Sequence, residues 1–270
     1  MRKSLVVVLT TLALVLGFGT LADAATAKKS FKVSIKSNVA VSQAGRFIVI
    51  SGKVSGPGAG GKKVKVQRQY IGGAWITVAT VTTKKSGKYK AVVETPRGGT
   101  TSFRALKAKS SARKAGVSAT KALPVYQWLD LATQPGQLNN TFPVQEQVGG
   151  TLYEHAFSFS QGGGMAYRPS GLCTEFATRF GYKTTGQPPV ADDANLELTR
   201  IQTNPAPSIS TSTSVSTGNA VTFTSSLAGT KYLTIEVTSI AGGGSYFAAL
   251  GDPKVYCNAS TLPTFRNGDF

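Results

Sequence analysis

Apolar and polar residues alternate in short runs along most of this chain. Residues 31–36, 64–68, 89–93 and 103–107 alternate apolar with polar residues over most of their length, and 176–180, 196–201, 221–224 and 232–237 do the same further on. A period of two sets one face of each run on a core and the other in water, which predicts β-strands; no stretch sustains the period of a helix. Gly and Ser clusters at 56–61, 71–73, 86–87 and 98–99 supply turns between the runs. Many short strands at this spacing predict an all-β protein built of antiparallel sandwiches. The stretch 205–213, rich in Pro, Ser and Thr, predicts a loop followed by a solvent-facing strand. Gly162-Gly163-Gly164 and Gly242-Gly243-Gly244 predict wide hairpin loops, since neither opens a helix or carries the Lys-Ser/Thr of a phosphate loop.

Charge divides the same pattern in two. Residues 25–122 hold 21 Lys and Arg against one acid, Glu94, a net of +20, whereas residues 123–270 hold 7 against 10, a net of −3. Two electrostatically different objects in one chain predict two domains, meeting at Lys121-Ala122-Leu123-Pro124 where the charge density collapses. Outward-facing lysines also block edge-to-edge sheet pairing, which accounts for a few of them. Solubility is served by mixed charge, so a field this one-sided predicts attraction of polyanions. Lys62, Lys63, Lys65, Lys84, Lys85, Lys88 and Lys90 are the candidates for that contact. Lysine is a point charge without a planar fork, so the expected binding is salt-sensitive and weakly specific. Nucleic acid is the lesser expectation, because no base-reading motif accompanies the charge.

The chain opens with Arg2-Lys3, runs apolar from Leu5 to Leu16 and reaches Ala22-Asp23-Ala24. That order, with an apolar run too short to span a bilayer, predicts a secretory signal peptide over 1–24. The expected organisation is then a basic domain over 25–122, a second domain over 123–257 and a C-terminal tail over 258–270. The expected location is outside the cell, free or held to the wall, without a transmembrane segment. The only two cysteines, Cys173 and Cys257, share the second half. In an oxidising compartment they most simply pair, and their spacing is not that of a CxxC redox or zinc motif.

Ser51-Gly52-Lys53-Val54, the run 63–68, the run 75–79, Gly87-Lys88-Tyr89 and Phe103-Arg104-Ala105 resemble, in order, the Ig-like modules of secreted actinobacterial proteins. The resemblance covers about residues 31–120 and implies an Ig-like β-sandwich in which Trp75 and Tyr89 are core residues. Residues 125–257 resemble the NPCBM family of jelly-roll carbohydrate-binding modules. Trp128-Leu129-Asp130-Leu131 is similar to that family's opening motif, and Gly149-Gly150-Thr151-Leu152-Tyr153 to its Gly-x-x-Tyr turn. The runs 173–181, 231–237 and 246–255 are similar to its later strands. The family's closing Asp-His is replaced by Tyr246-Phe247 and its Trp by Leu250, so the fold carries over better than a sugar specificity. The resemblances imply an N-terminal Ig-like β-sandwich followed by a jelly-roll β-sandwich.

A sugar site needs aromatic plates for the C–H face of the ring and directed polar groups for its hydroxyls. The candidates are Trp128, Tyr153, His155, Tyr167, Arg168 and Tyr246, with Tyr126 and Tyr182 behind them. Each aromatic also suits sandwich packing, Tyr153 occupies the family's turn-holding position, and Arg168 could fork onto an acidic sugar. No metal or cofactor is expected, since Asp192-Asp193 alone is a poor calcium site. His155 is the only histidine and neither Gly-x-Ser-x-Gly nor HExxH is present, so catalysis is not expected. The expected function is a secreted, non-catalytic glycan-binding protein whose basic domain adheres to anionic cell-envelope or matrix polymers. One alternative is a structural or protein-binding surface factor whose jelly roll has lost sugar binding. Another is a polyanion scavenger working through 25–122 alone.

Overall fold

The computed structural model describes residues 28–183, 194–202, 208–216, 218–239 and 248–265, with backbone only at 160–162 and 239. Residues 1–24, expected as a signal peptide, Asp192-Asp193, the Gly242-Gly243-Gly244 run, Tyr246 and the last five residues lie outside the described residues. What is described is all-β. In the first half the strands are β1 (Lys32–Val33), β2 (Lys36–Ser37), β3 (Ser42–Gln43), β4 (Arg46–Ser55), β5 (Lys63–Tyr70), β6 (Ile76–Thr82), β7 (Lys88–Thr95), β8 (Thr101–Lys107), β9 (Gly116–Val117) and β10 (Lys121–Leu123). They are followed by β11 (Val125–Asp130), a 3-10 turn (Leu131–Thr133), β12 (Gln137–Val148), β13 (Thr151–Tyr167), β14 (Cys173–Tyr182), β15 (Ala194–Ile201), β16 (Ile209–Val215), β17 (Ala220–Ser226), β18 (Tyr232–Ser239) and β19 (Ala248–Cys257).

The first half is a two-layer sandwich. One sheet runs β1-β4-β2 with β7 on the other edge of β4; the second runs β10-β8-β5-β6, with β9 also on β8. Alternation decides what meets between them. Ile48, Ile50, Val64, Val66, Tyr89, Ala91, Val93, Phe103 and Ala105 point inward and form one buried cluster, while Lys63, Lys65, Lys88 and Lys90 point out. The run expected over 31–36 is broken into β1 and β2, which pair with β4 in succession. At the break the Tyr89 hydroxyl donates to the Ser34 carbonyl at 2.7 Å, and Gly52 makes room for both, since a Cβ there would lie 2.6 Å from that hydroxyl. Trp75 departs from the core position expected of it. It is half-buried, with the Arg104 guanidinium 4.2 Å from its ring, because Arg104 faces outward from β8 and is held by Gln67 at 2.8 Å.

The second half is a single sheet curled into two layers. One layer holds β16-β15-β18 and continues into the C-terminal part of β13; the other holds β17-β14-β19-β11. Strand β13 passes from one to the other, pairing with β18 through 164–167 and with β19 through 156–158. Its bend falls where the register against β12 slips between Asn139 and Thr141, opposite residues 159–164. Gly162-Gly163-Gly164 therefore lies inside a strand at a corner, not in the hairpin loop expected of it. Glycine suits the corner because a Cβ on Gly164 would sit 3.1 Å from Glu236 Cγ and 3.3 Å from the Ile235 carbonyl. Phe157, Phe159, Tyr167, Phe176, Phe180, Leu196, Leu198, Leu233, Ile235 and Leu250 fill the space between the layers. Cys173 and Cys257 are opposite each other on β14 and β19 and form the disulfide, fully buried.

The two halves do not meet at a linker. Val125 belongs to the first core and Leu129 to the second, so the change of core falls inside β11 rather than at 122/123. Strand β3 of the first half lies parallel to β11 and extends the second half's sheet, with Ser42 N donating to Pro124 O at 3.0 Å and Ala44 N to Tyr126 O at 2.8 Å. Gly98 N donates to Gln127 Oε1 at 2.8 Å. Residues 258–265, expected as part of a tail, are packed in. Ala259 and Leu262 are buried in the second core, and Asn258 bonds Thr100 and Val125 N across the junction.

Candidate functional site

The outward-facing positions of β11, β19 and β14 bring aromatic and charged side chains together on one face. Because β11 and β19 are antiparallel with Trp128 opposite Tyr256 and Asp130 opposite Lys254, every second residue of each strand lands on the same face. Tyr126 and Tyr256 stack at 5.4 Å with 28° between planes, and Trp128 lies 5.2 Å from Tyr256 with 44° between planes. The result is a row of three aromatic rings on an open sheet. Trp128 is 38 % exposed. Lys254 sits 5.7 Å from the Trp128 ring and is paired with Asp252. On the far side of β19, Glu175 stands opposite Tyr256 and Ala177 opposite Lys254. The Tyr256 phenol is raised above its ordinary pKa, first by partial burial and then by Tyr126 and Glu175.

Beside the row is a cleft of about 190 Å³ lined by Tyr153, Ala177, Arg179, Thr222, Asp252 and Lys254. Its floor is low because Ala177 and Gly251 have little or no side chain. Tyr153 lies over Gly251, where a Cβ would approach its ring to 2.5 Å, and forms one wall. Arg179, whose guanidinium donates to Thr222 Oγ1 at 3.1 Å, forms another. The β12–β13 hairpin that carries Tyr153 is positioned by its two-glycine turn. Gly149 (φ 56°) and Gly150 (φ 82°) both take the left-handed conformation that a tight hairpin requires. The hairpin is pinned further by Lys183, which donates to Ser158 Oγ and lies 4.0 Å from Glu146. Burial lowers the Lys183 pKa, with Glu146 acting in the opposite direction.

The structure brings together three of the six sugar-site candidates. Trp128 lies in the aromatic row, Tyr153 on the cleft wall, and His155 on the same strand, where its Nδ1 lies against the Asp130 carboxylate. Asp130 also accepts from Ala132 N at 2.9 Å, which fixes the carboxylate. Tyr167 is taken out of the set: it is 1 % exposed, and its hydroxyl donates to the Leu131 carbonyl at 3.0 Å, so a ligand cannot reach it. Arg168 is not among the cleft-lining residues; it donates to Thr264 O at 3.1 Å. Tyr182 is buried, and Tyr246 lies outside the described residues. The sequence reading missed Tyr256, Lys254 and Asp252. The signal was present in their spacing, since they alternate with the buried Val255 and Cys257.

The candidate lysines are all exposed but do not form one patch. Lys63 and Lys65 face out from β5 and Lys88 and Lys90 from β7, on opposite sides of the first core. Lys62, Lys84 and Lys85 gather at an end of the sandwich around the buried Thr83, which bonds the backbone of Lys62. Lys53 stands directly opposite Lys88, with Lys36 and Lys90 on either side of Ser51 in the adjoining row.

Among the described residues no group of three or more His, Cys, Asp and Glu could hold a metal ion. Among them, too, no helix is long and apolar enough to cross a membrane. No family model matches the chain, and no protein of curated function matches it. Among solved structures it is similar to the N-terminal CBM22-1–CBM22-2 tandem domain of Paenibacillus barcinonensis Xyn10C, at 13 % identity over 83 % of this chain and 82 % of that one, with a TM-score of 0.35. It is also similar to tripeptidyl peptidase 2, at 9 % identity over 84 % of this chain and 20 % of that one, with a TM-score of 0.27. Likenesses at these scores carry neither a fold nor a function to this chain.

Proposed function

We propose that this chain is an exported, non-catalytic glycan-binding protein, with the sugar lying along the outer face of β11, β19 and β14. The observation that carries the reading is the row Tyr126–Tyr256–Trp128 beside the cleft at Tyr153, Arg179 and Asp252. The adjoining rings, with Trp128 exposed among them, offer apolar surface to the C–H face of a sugar, and the flanking acids and bases can bond its hydroxyls. The NPCBM-like order of landmarks supports the same reading, and the export part rests on the N-terminal sequence pattern. The basic half supplies adhesion to anionic envelope or matrix polymers. Support for that part is the directly opposed pair Lys53–Lys88, since like charges across a strand pair repel and are relieved by a bound polyanion.

Affinity electrophoresis of the whole protein in gels cast with neutral and acidic polysaccharides tests the first part. Retardation by at least one polysaccharide is expected, and W128A and Y256A should each weaken it by roughly tenfold, as loss of a stacking anchor does. Unaltered retardation in both variants, or mobility that is the same in every gel, would remove the aromatic row as a glycan site. For the second part, elution from immobilised heparin should move to lower salt in K53A/K88A, and binding should fall steeply as salt rises. Elution of that variant at the same salt as the parent would exclude this face.

A further inference from the structure

A second cleft, of about 260 Å³, lies between the halves, with Tyr70, Ile71 and Arg97 on one side and Leu172, Asn258 and Ser260 on the other. We propose that it binds a single carboxylated sugar ring, a uronic acid residue. The proposal is independent of the aromatic row, which lies elsewhere.

The carboxylate partner is Arg97. Its guanidinium is laid over the Tyr70 ring at 3.8 Å, with Arg68 on the same ring at 5.1 Å, so the fork is held flat. Among the described residues no carboxylate is ion-paired with Arg97, and the only acid of the first half, Glu94, takes part through its backbone carbonyl in a bond to Arg68. A planar, orientated and uncompensated guanidinium is suited to a bidentate carboxylate. The Tyr70 hydroxyl beneath it is buried without a hydrogen-bond partner, a condition that natural interiors rarely leave unexplained. Tyr70 lines the cleft, and its buried hydroxyl marks an unmet hydrogen bond beside the site.

The rest of the lining fits a sugar better than a plain carboxylate. Asn258 Nδ2 donates to Thr100 Oγ1 at 3.1 Å, which leaves the Thr100 hydrogen for the cleft. Ser260 adds a second hydroxyl, and Leu172 and the 88 % exposed Ile71 give apolar walls for the C–H face. The volume lies just under the range of roughly 300–1,000 Å³ usual for small-molecule sites, which suits one sugar ring. Because both halves line the cleft, a bound ring also ties them together.

Ligand-observed NMR titration of the whole protein with D-glucuronate, D-glucose and inorganic phosphate tests the proposal. Glucuronate should bind, and glucose, which lacks the carboxylate, about tenfold more weakly or not at all, as loss of a charge-assisted pair implies. R97A should bring glucuronate to the level of glucose. K109A/K114A, which removes two exposed charges from the same half, should leave glucuronate within about twofold, and thermal melts of each variant report whether it is folded. Absence of glucuronate binding, equal binding of glucose, or phosphate binding as tight as glucuronate overturns the assignment on the unaltered protein, whatever the variants do. An equal loss in R97A and K109A/K114A overturns it too, in favour of diffuse charge attraction.

Discussion

The Tyr89 hydroxyl sits inside the first core, and burial raises its pKa from the usual 10.0 to about 12. Tyr167 moves in the same direction, from burial first and then from the charge of Asp130. The neutral phenol is the form the fold holds, so the contribution to stability is complete below pH 10, the unfolded value. It is lost as pH rises from 10 toward 12. Ultraviolet difference titration should show exposed tyrosines ionising first and these two lagging, with resistance to urea falling across the same window. Y89F should remove part of that fall; synchronous ionisation of every tyrosine at the ordinary value would contradict the buried hydroxyls. Tyr167 and Trp128 show what a sequence gives at this scale. Both are aromatic residues followed by a polar or apolar neighbour in a strand, and both fit a sugar plate. Only the strand opposite distinguishes them: Tyr256 keeps Trp128 at the surface, whereas Leu233 and the second core enclose Tyr167.

Strands whose two faces see different surroundings were readable one at a time, as β5, β7, β15 and β18 were, because the period of two needs no knowledge of a partner. Strands that serve both layers were not. Strand β13 is 17 residues long and changes layer midway, so its buried positions do not keep one phase, and its glycine run looks like an end rather than a corner. The two-glycine turn before it was legible as a turn, yet not as the device that sets a wall of the candidate site. G149A is expected to cost about 1 kcal/mol or more, since alanine resists a φ of 56°. Its Cβ would also press on Ala220, and glycan retardation should weaken along with urea resistance because Tyr153 moves with the hairpin. The disulfide is the other element-scale restraint. Its partners are 84 residues apart, so C173S/C257S should lose about 2–4 kcal/mol in denaturant unfolding by freeing the unfolded chain. A loss below half a kcal/mol, measured at equal denaturant slope, would show that the strand pairing alone sets the β14–β19 register.

At the scale of the whole molecule, the charge asymmetry distinguishes two stretches of sequence and says nothing of how they join. Charge reports on surfaces, while the junction is made of backbone bonds, a parallel strand and a shared core boundary inside β11, none of which has a compositional signature. Calorimetry of the intact chain is therefore expected to show one cooperative transition. S42P, which deletes the donor to Pro124 O, should split or broaden it while leaving both cores intact. Two well-separated transitions in the unaltered protein would mean that the junction carries little energy.

The β3–β11 pairing has an evolutionary consequence. Many secreted proteins are assembled by shuffling self-sufficient cassettes, cut at loops where nothing is severed. Here a cut at the charge boundary would strip a strand from one neighbour's sheet and leave a raw edge open to aggregation. The portable gene segment is the pair, so relatives of either half should turn up in other proteins only where the other half travels with it, or where a new strand has taken the vacated edge.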